Sequence, residues 1–369
     1  MEHSFTSIIK DILFRIYGKN GTEIYTKNLL IQYINEKTKS VSKGSKSRSS
    51  FANLYAIYVI IEDYIAHGFD TNSMYRNYEG AQFSRLLQRQ CELPFGSKLQ
   101  NHALNNRMNA EFQKFFPTSD ITPILRDLET NRYWINENLL IVDVNGVQYN
   151  VAKAIIAIID KYVEIKQDSF QRFIAQCEEL QAIEDCNSVN VHEFITGLLA
   201  PNVDARLFEI VSYAILKYYY KEQTIIWGYS WENLNEEALK LYKTGRTNAN
   251  DGGIDFVMKP LGRFFQVTET LDFKKYFLDI EKIEKYPITF VVKSLDDVDV
   301  LKDKLYKDAS KTYVIEDIVR KYMECIEEII NIPILLHHFQ RIEDAGLISN
   351  VLKEIILQSR VEFNYEDEL

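Results

Sequence analysis

The hydrophobic pattern of the chain changes near Pro201, and this change constrains the fold more than any other feature. From Phe5 to about Ile195, apolar residues recur at i, i+3 and i+4, which is typical of amphipathic helices. After Pro201, one helical stretch is followed by short apolar runs that predict strands. The order helix, three strands, helix, strand predicts an α/β unit with a mixed sheet, preceded by a large, mainly α-helical N-terminal domain.

The length of 369 residues favours more than one domain. We expect residues 1–195 to form the mainly helical domain and residues 196–295 the α/β core. Residues 296–369 are predicted to be a helical, acidic segment that packs on the core or dimerises. Inside the helical domain, two apolar runs surround Asn145-Gly146, which is a strong signal for a β-hairpin.

Composition excludes several classes of protein. A hydrophobic content of 46% with only 14 Gly and 7 Pro does not fit a disordered or collagen-like chain. The apolar runs are too short for a membrane span, and the N-terminus lacks the pattern of a signal peptide. Four cysteines without a CxxC pair predict a reduced, cytoplasmic protein.

Basic and amide side chains gather in two N-terminal segments, although the net charge of the whole chain is −10. Residues 1–135 hold 17 Lys and Arg against 13 Asp and Glu. The first segment, Asn35–Ser50, is predicted to be a loop that meets DNA phosphates or a solvated connector between helices. Its candidate DNA-binding residues are Lys43, Lys46 and Arg48.

The second segment combines Ser84–Gln90 and Gly96–Asn109 and is rich in Arg, Asn and Gln. These side chains carry the paired donors and acceptors that match base edges in the major groove of DNA. The alternative is a polar helix face. Asn105 and Arg107 are its candidate DNA-binding residues.

An aspartate in an apolar strand indicates the candidate active site. Asp255 follows Gly252-Gly253 and is flanked by Ile and Phe, where an unpaired carboxylate is costly. A divalent cation would offset its charge, with Glu209 on the preceding helix as the second carboxylate. Mg²⁺ prefers such oxygen ligands and can activate water for attack on a phosphodiester. The alternative is that both carboxylates only form ion pairs, with Lys243, Arg246 or Lys259.

The turn that follows Asp255 predicts which side chains join it. If Leu261-Gly262 is the centre of an antiparallel hairpin, Val257 faces Gln266 and Asp255 faces Thr268. Since side chains alternate along a strand, these four residues would share one face of the sheet. The hairpin therefore predicts a carboxylate, an amide and a hydroxyl close together.

The runs Phe208-Glu209, Asp251-Gly252-Gly253-Ile254-Asp255 and Gln266-Val267-Thr268 resemble the PD-(D/E)XK nuclease superfamily, in the form of Mrr-like and type II restriction endonucleases. The resemblance extends from Arg206 to Ser294 and implies a restriction-endonuclease-like mixed sheet flanked by helices. It also implies that Glu209, Asp255 and Gln266 surround a catalytic Mg²⁺.

Thr268 departs from the family, because the family has its catalytic lysine at this position. A threonine cannot supply positive charge to the phosphate. Three explanations stay open: a lysine elsewhere, a catalytic role for Glu269, or an inactive core kept for binding. Lys243 is the first candidate for the missing lysine, and Lys259 and Lys293 are the others.

The segment Thr244–Asp251 would then border the active site. Arg246 and Asn248 in it are candidates for phosphate or groove contacts, and the alternative is a plain polar loop.

The function implied by the resemblance is that of a type II restriction endonuclease, a site-specific deoxyribonuclease. Such an enzyme hydrolyses phosphodiester bonds of double-stranded DNA at a short recognition sequence, and it belongs to a bacterial restriction-modification system that defends against phage. The implied partners are a second copy in a homodimer and a cognate DNA methyltransferase encoded nearby. The alternatives are a nuclease that cuts methylated DNA after placing a flipped base in an aromatic pocket, and an inactive DNA-binding protein.

Overall fold

A computed structural model of the chain describes residues 2–41, 47–72, 74–96, 99–182, 189–244, 254–269 and 271–363. The chain is mixed α/β and divides into two compact units, Met1–Phe173 and Ile174–Leu369. The boundary predicted at residue 195 therefore lies inside the second unit. Among the described helices, none is long and apolar enough to cross a membrane.

The N-terminal unit is mainly helical, as the apolar period predicts. Helix α4 is apolar on nearly all sides, and its residues from Leu54 to Ile61 are buried, so it forms the centre of this unit. The helices are α1 (Ser4–Tyr17), α2 (Gly21–Lys27), α3 (Leu29–Lys37), α4 (Ser47–Ala66), α5 (Phe83–Glu92), α6 (Met108–Phe115) and α7 (Ala152–Ala182), which continues past the boundary between the units.

Five short strands lie among these helices: β1 (Ala81–Gln82), β2 (Ile124–Asp127), β3 (Arg132–Ile135), β4 (Ile141–Val144) and β5 (Val147–Asn150). The predicted hairpin is confirmed, since β4 and β5 pair antiparallel around Asn145-Gly146. Both turn residues have positive φ, as this two-residue turn requires. The sheet β1-β3-β2 was not predicted, because strands this short leave little alternating pattern in the sequence.

The C-terminal unit is built around a five-stranded mixed sheet of order β12-β11-β10-β9-β8. Strands β8, β9 and β10 are antiparallel, and β10, β11 and β12 are parallel. A separate hairpin is formed by β6 and β7. The strands are β6 (Thr224–Gly228), β7 (Leu234–Ala238), β8 (Lys240–Lys243), β9 (Phe256–Lys259), β10 (Arg263–Thr268), β11 (Ile288–Val292) and β12 (Ile326–Ile330).

Helices cover both faces of this sheet. They are α8 (Val189–Gly197), α9 (Ala205–Lys221), α10 (Phe273–Lys282), α11 (Val298–Ser310), α12 (Glu316–Glu324), α13 (Ile332–Asp344) and α14 (Ile348–Phe363). On one face, Tyr213 and Tyr220 of α9 contact the rings of Phe256 and Phe265. The other face packs against α10, α11 and α12, and α13 and α14 pack against the outside of α9.

The predicted pairing of β9 with β10 is wrong by two residues. Val257 pairs with Phe264, not with Gln266, and the last pair before the turn is Met258 with Arg263. The turn is longer than predicted because Gly262 adopts a positive φ and donates its N–H to the carbonyl oxygen of Met258 at 2.9 Å. The backbone N–H of Asp255 donates to the carbonyl oxygen of Phe265, which also pairs with Phe256, so Asp255 and Phe256 both oppose Phe265 as in a β-bulge. The predicted pairing of Asp255 with Thr268 is therefore wrong, and the regular alternation of side chains does not extend to Asp255.

The segment 296–369 is not wholly helical, because β12 extends the sheet beside β11. Ile326, Ile329 and Ile330 are buried and hold this strand in place. Between them, Glu327 and Glu328 form ion pairs with Arg263 of β10. Glu327 and Glu328 interrupt the apolar pattern of β12, so the sequence did not predict this strand.

Candidate active site

The three residues predicted to be central to the site lie close together in the C-terminal unit. Glu209 projects from α9, Lys243 ends β8, and Asp255 directly precedes β9. Lys243 Nζ lies 2.9 Å from Glu209 Oε1, so the ion pair that the sequence left open is present. Both side chains are largely shielded from solvent. The pair therefore holds a carboxylate next to Asp255.

Asp255 is the most perturbed carboxyl group of the site. Its Oδ2 accepts a hydrogen bond of 2.7 Å from the backbone N–H of Val267, which orients the carboxyl group. Burial, and then the negative charge of Glu209, raise the pKa of Asp255 to about 8. The positive charges of Lys243 and Lys275 act in the opposite direction. A further positive charge beside Asp255 would lower this pKa.

Gln266 and Thr268 lie on β10, beside Asp255. The backbone N–H of Asp255 donates to the carbonyl oxygen of Phe265 at 3.0 Å, so Asp255 lies opposite Phe265, the residue before Gln266. The side-chain oxygen Oε1 of Gln266 is buried and accepts no hydrogen bond from any residue that the structure describes. A buried acceptor without a donor is costly, which is a reason to expect a ligand there. The hydroxyl of Thr268 is buried as well.

Lys275, which the sequence reading missed, contacts the position where the family lysine is absent. Its Nζ lies 3.2 Å from Thr268 Oγ1, and its charge acts on Asp255. Lys275 belongs to the first turn of α10, which starts a few residues after β10 ends. The two consecutive lysines that open this helix, Lys274 and Lys275, were the signal that could have found it.

The other predicted lysines are less suited to the site. Lys293 is buried, forms an ion pair of 2.7 Å with Glu269 and donates to the carbonyl oxygen of Val203, so its ammonium already has two partners away from Asp255. The same pair engages Glu269. Lys259 is exposed, and its Nζ lies 6.0 Å from the ring centre of Tyr242. Lys243, the first candidate, is held by Glu209.

The donor set fits a hard divalent cation. The carboxylates of Glu209 and Asp255 and the amide oxygen of Gln266 are oxygen donors of the kind that Mg²⁺ binds. Over the described ranges, no three His, Cys, Asp or Glu side chains form a metal-binding group. Gln266 would therefore complete the set of protein ligands, with its unpartnered Oε1.

Two predicted DNA-binding residues lie in the N-terminal unit, in a π-helical turn at Ala103–Arg107. Asn105 accepts a hydrogen bond of 2.8 Å from the hydroxyl of Tyr133. Arg107 donates to Glu111 Oε1 at 3.1 Å. Glu111 is also 2.6 Å from Lys37 Nζ. Both predicted base-reading groups are thus already bonded within the protein.

The remaining predicted DNA-binding residues are not among those that the structure describes. Lys43, Lys46, Arg246 and Asn248 lie outside the described residues, as does the side chain of Arg48. The segment predicted to be a loop from Asn35 to Ser50 is shorter than expected, because α3 reaches Lys37 and α4 begins at Ser47.

Comparison with known proteins gives no relative: no protein-family model, curated protein or solved structure matches this chain. Function must therefore be inferred from the geometry of the site and from the resemblance carried by its residues.

Proposed function

We propose that the chain is a Mg²⁺-dependent nuclease that hydrolyses phosphodiester bonds of double-stranded DNA. The proposal rests on the electrostatic interaction between the carboxyl groups of Asp255 and Glu209. Burial and the like charge of Glu209 raise the pKa of Asp255 to about 8, and on the neighbouring strand β10 the buried amide oxygen of Gln266 accepts no hydrogen bond from a described residue. A site that holds two acidic groups together at such a cost is suited to a cation.

The order of elements supports the same proposal. Helix α9 with Glu209 precedes the antiparallel strands β8, β9 and β10, and α10 leads to the parallel strand β11. This order, with its carboxylates on α9 and before β9, is what the resemblance to the PD-(D/E)XK superfamily implies. The choice of DNA as substrate rests on that resemblance.

Each residue of the site has a distinct role in the proposed reaction. Glu209, Asp255 and Gln266 would hold the metal, and the ion pair with Lys243 orients Glu209. When bound, Mg²⁺ would neutralise phosphate charge and lower the pKa of a bound water. Lys275 replaces the lysine absent at Thr268 and stabilises negative charge that develops on the phosphate.

The wider proposal is a type II restriction endonuclease that acts as a homodimer with one site in each subunit. It includes a recognition role for the N-terminal unit, and a cognate methyltransferase encoded nearby. A symmetric cut across both strands is the reason to expect two copies.

The test is incubation of the purified full-length protein with unmethylated plasmid and phage DNA, in Mg²⁺ or in EDTA, followed by sequencing of the ends. We expect discrete bands in Mg²⁺ only. Asp255→Ala and Glu209→Ala should abolish them while retaining binding in a gel shift. Glu222→Ala, an exposed carboxylate at the other end of α9, is the matched control and should cut normally.

The alternatives give different outcomes in the same experiment. Cleavage restricted to methylated DNA would identify a modification-dependent nuclease. Binding without cleavage, repeated with Mn²⁺ and with methylated DNA, would identify an inactive nuclease fold that acts by binding and would overturn the proposed reaction.

A further inference from the structure

The N-terminal unit contains a cavity that the proposed nuclease reaction does not use. Its volume is about 760 Å³, within the range of small-molecule sites. It is lined by the end of α4, the segment that follows it, the start of α5 and Arg132 of β3. Gly80 lines it with a positive φ, where a Cβ would lie 2.6 Å from the indole of Trp134. The wall is therefore closely packed at this point.

Aromatic rings form one wall of the cavity. The ring centres of His67 and Tyr78 are 4.9 Å apart, and those of Phe69 and Tyr78 are 5.0 Å apart. Tyr75 packs behind them, 5.1 Å from Phe69. Such a wall offers a planar ligand a face on which to stack.

A carboxylate with spare acceptor capacity stands beside this wall. Asp63 accepts a hydrogen bond from the hydroxyl of Tyr78 through Oδ2. The ring nitrogen Nδ1 of His67 lies 3.6 Å from the same Oδ2. The other oxygen of Asp63, Oδ1, receives no hydrogen bond from any residue that the structure describes, and the side chain is 26% exposed. An ionised carboxylate is an acceptor only, so this oxygen is suited to an amino group on the ligand.

Of the three arginines that line the cavity, Arg85 differs from the other two in its hydrogen bonding. Arg89 is held by two hydrogen bonds of 2.8 Å to Glu62, and Arg132 donates to the carbonyl oxygen of Gly80 at 2.9 Å. Arg85 is exposed and makes no hydrogen bond or ion pair with any described residue. A free guanidinium is suited to a phosphate.

We propose that this cavity binds a nucleotide whose base carries an amino group. The base would stack on the rings of His67 and Tyr78, its amino group would donate to Asp63, and its phosphate would contact Arg85. A ligand that is planar, donates at one edge and is anionic at the other meets all three requirements. Its source is either a free nucleotide or a base turned out of DNA. The proposal does not depend on the nuclease reaction.

The experiment is calorimetric titration of the full-length protein with dAMP, dCMP and dTMP. Thymine has no exocyclic amino group, so we expect dAMP or dCMP to bind about tenfold or more tightly than dTMP. Asp63→Asn should remove this preference, and Arg85→Ala should weaken the binding of every nucleotide. Arg76→Ala removes an exposed arginine outside the cavity lining and should leave binding unchanged.

A second series with oligo-dA, oligo-dC and oligo-dT distinguishes the two sources. Binding of mononucleotides with the expected pattern identifies a free nucleotide as the ligand. The same Asp63 and Arg85 dependence seen only with oligonucleotides identifies a base of DNA. The proposal is overturned if neither series depends on Asp63 and Arg85, or if Arg76→Ala loses as much binding as Arg85→Ala.

Discussion

The predicted catalytic residues and the predicted base-reading residues differ in whether their polar groups already have hydrogen-bond partners within the protein. In the C-terminal unit, burial and the charge of Glu209 raise the pKa of Asp255, and the buried amide oxygen of Gln266 accepts no hydrogen bond from a described residue. In the N-terminal unit, Asn105 is bonded to Tyr133 and Arg107 to Glu111. The site thus contains a buried acceptor without a donor, whereas Asn105 and Arg107 each already form a hydrogen bond within the protein.

The same difference distinguishes a carboxylate that stabilises the fold, Glu111, from the candidate catalytic carboxylate, Asp255. Glu111 accepts hydrogen bonds from Lys37, Arg107 and Asn53. Although burial acts in the opposite direction, the cations of Lys37 and Arg107 keep the pKa of Glu111 below its usual value. A carboxylate whose pKa is lowered by partners stabilises the fold, whereas one whose pKa is raised is costly and needs a functional reason.

After the loss of cleavage expected for the two carboxylate variants, the next largest effect is expected at Lys275, which the sequence did not predict. Lys275→Ala should lower the Mg²⁺-dependent cleavage rate about 100-fold, because it removes the positive charge beside Thr268. Lys274→Ala, its exposed neighbour, is the control and should cut at nearly the normal rate. Initial rates on plasmid DNA measure both. Equal rates for the two variants would remove Lys275 from the proposed site.

Glu111→Ala should destabilise the N-terminal unit by about 2 kcal/mol, because it leaves the ammonium of Lys37, whose side chain is only 12% exposed, without its partner. Urea unfolding monitored by tyrosine and tryptophan fluorescence measures this. Glu129→Ala, an exposed carboxylate of the same unit, should change stability little. A small loss of stability in both variants would mean that the hydrogen bonds of Glu111 do not stabilise the fold. The contrast between Glu111 and Asp255 would then be wrong.

Asp255→Asn should stabilise the protein in EDTA by more than about 1 kcal/mol at pH 9. The pKa of Asp255 is raised from 3.8 to about 8, so the stability from its protonated form is complete below pH 3.8 and is lost as pH rises through 8. Asparagine keeps the acceptor for Val267 and has no charge to bury. Thermal unfolding from pH 4 to pH 9 should show a gap that grows with pH, and a gap independent of pH would contradict the raised pKa.

The smallest effect is expected from Arg107→Ala, which should cost less than about 0.5 kcal/mol of stability because the side chain is 48% exposed. Because the guanidinium is already paired with Glu111, affinity for random duplex DNA should change little. Fluorescence anisotropy with labelled duplexes measures this. A selective loss of affinity for the cleaved sequence would make Arg107 a base contact and would narrow the difference between the two units.

Features that depend on neighbours in the sequence were predicted well. The Asn145-Gly146 hairpin formed because only a few residues tolerate positive φ at both turn positions. The apolar periods located most of the helices, and Glu209 and Asp255 were chosen because a carboxylate beside buried apolar residues requires a reason. These signals are local and can be read in one sequence.

Features that depend on distant segments were missed. The register of β9 and β10 followed from the backbone of the turn at Gly262, and β12 joined the sheet through buried isoleucines of the C-terminal segment. Lys275 was overlooked because the sequence places it seven residues after Thr268, on a helix. Only packing against β10 brings its ammonium to the hydroxyl of Thr268.

The sequence by itself determined the helical N-terminal region, the strands β8 to β11 and the two candidate carboxylates, because local periodicity and the cost of burying charge act within a few residues. The tertiary structure decided which lysine meets which carboxylate. It pairs Lys243 with Glu209 and Lys293 with Glu269, and it leaves Lys275 beside Thr268. The partner of a long, flexible side chain depends on which helices and strands lie within its reach, and these distances are set only when the chain has folded.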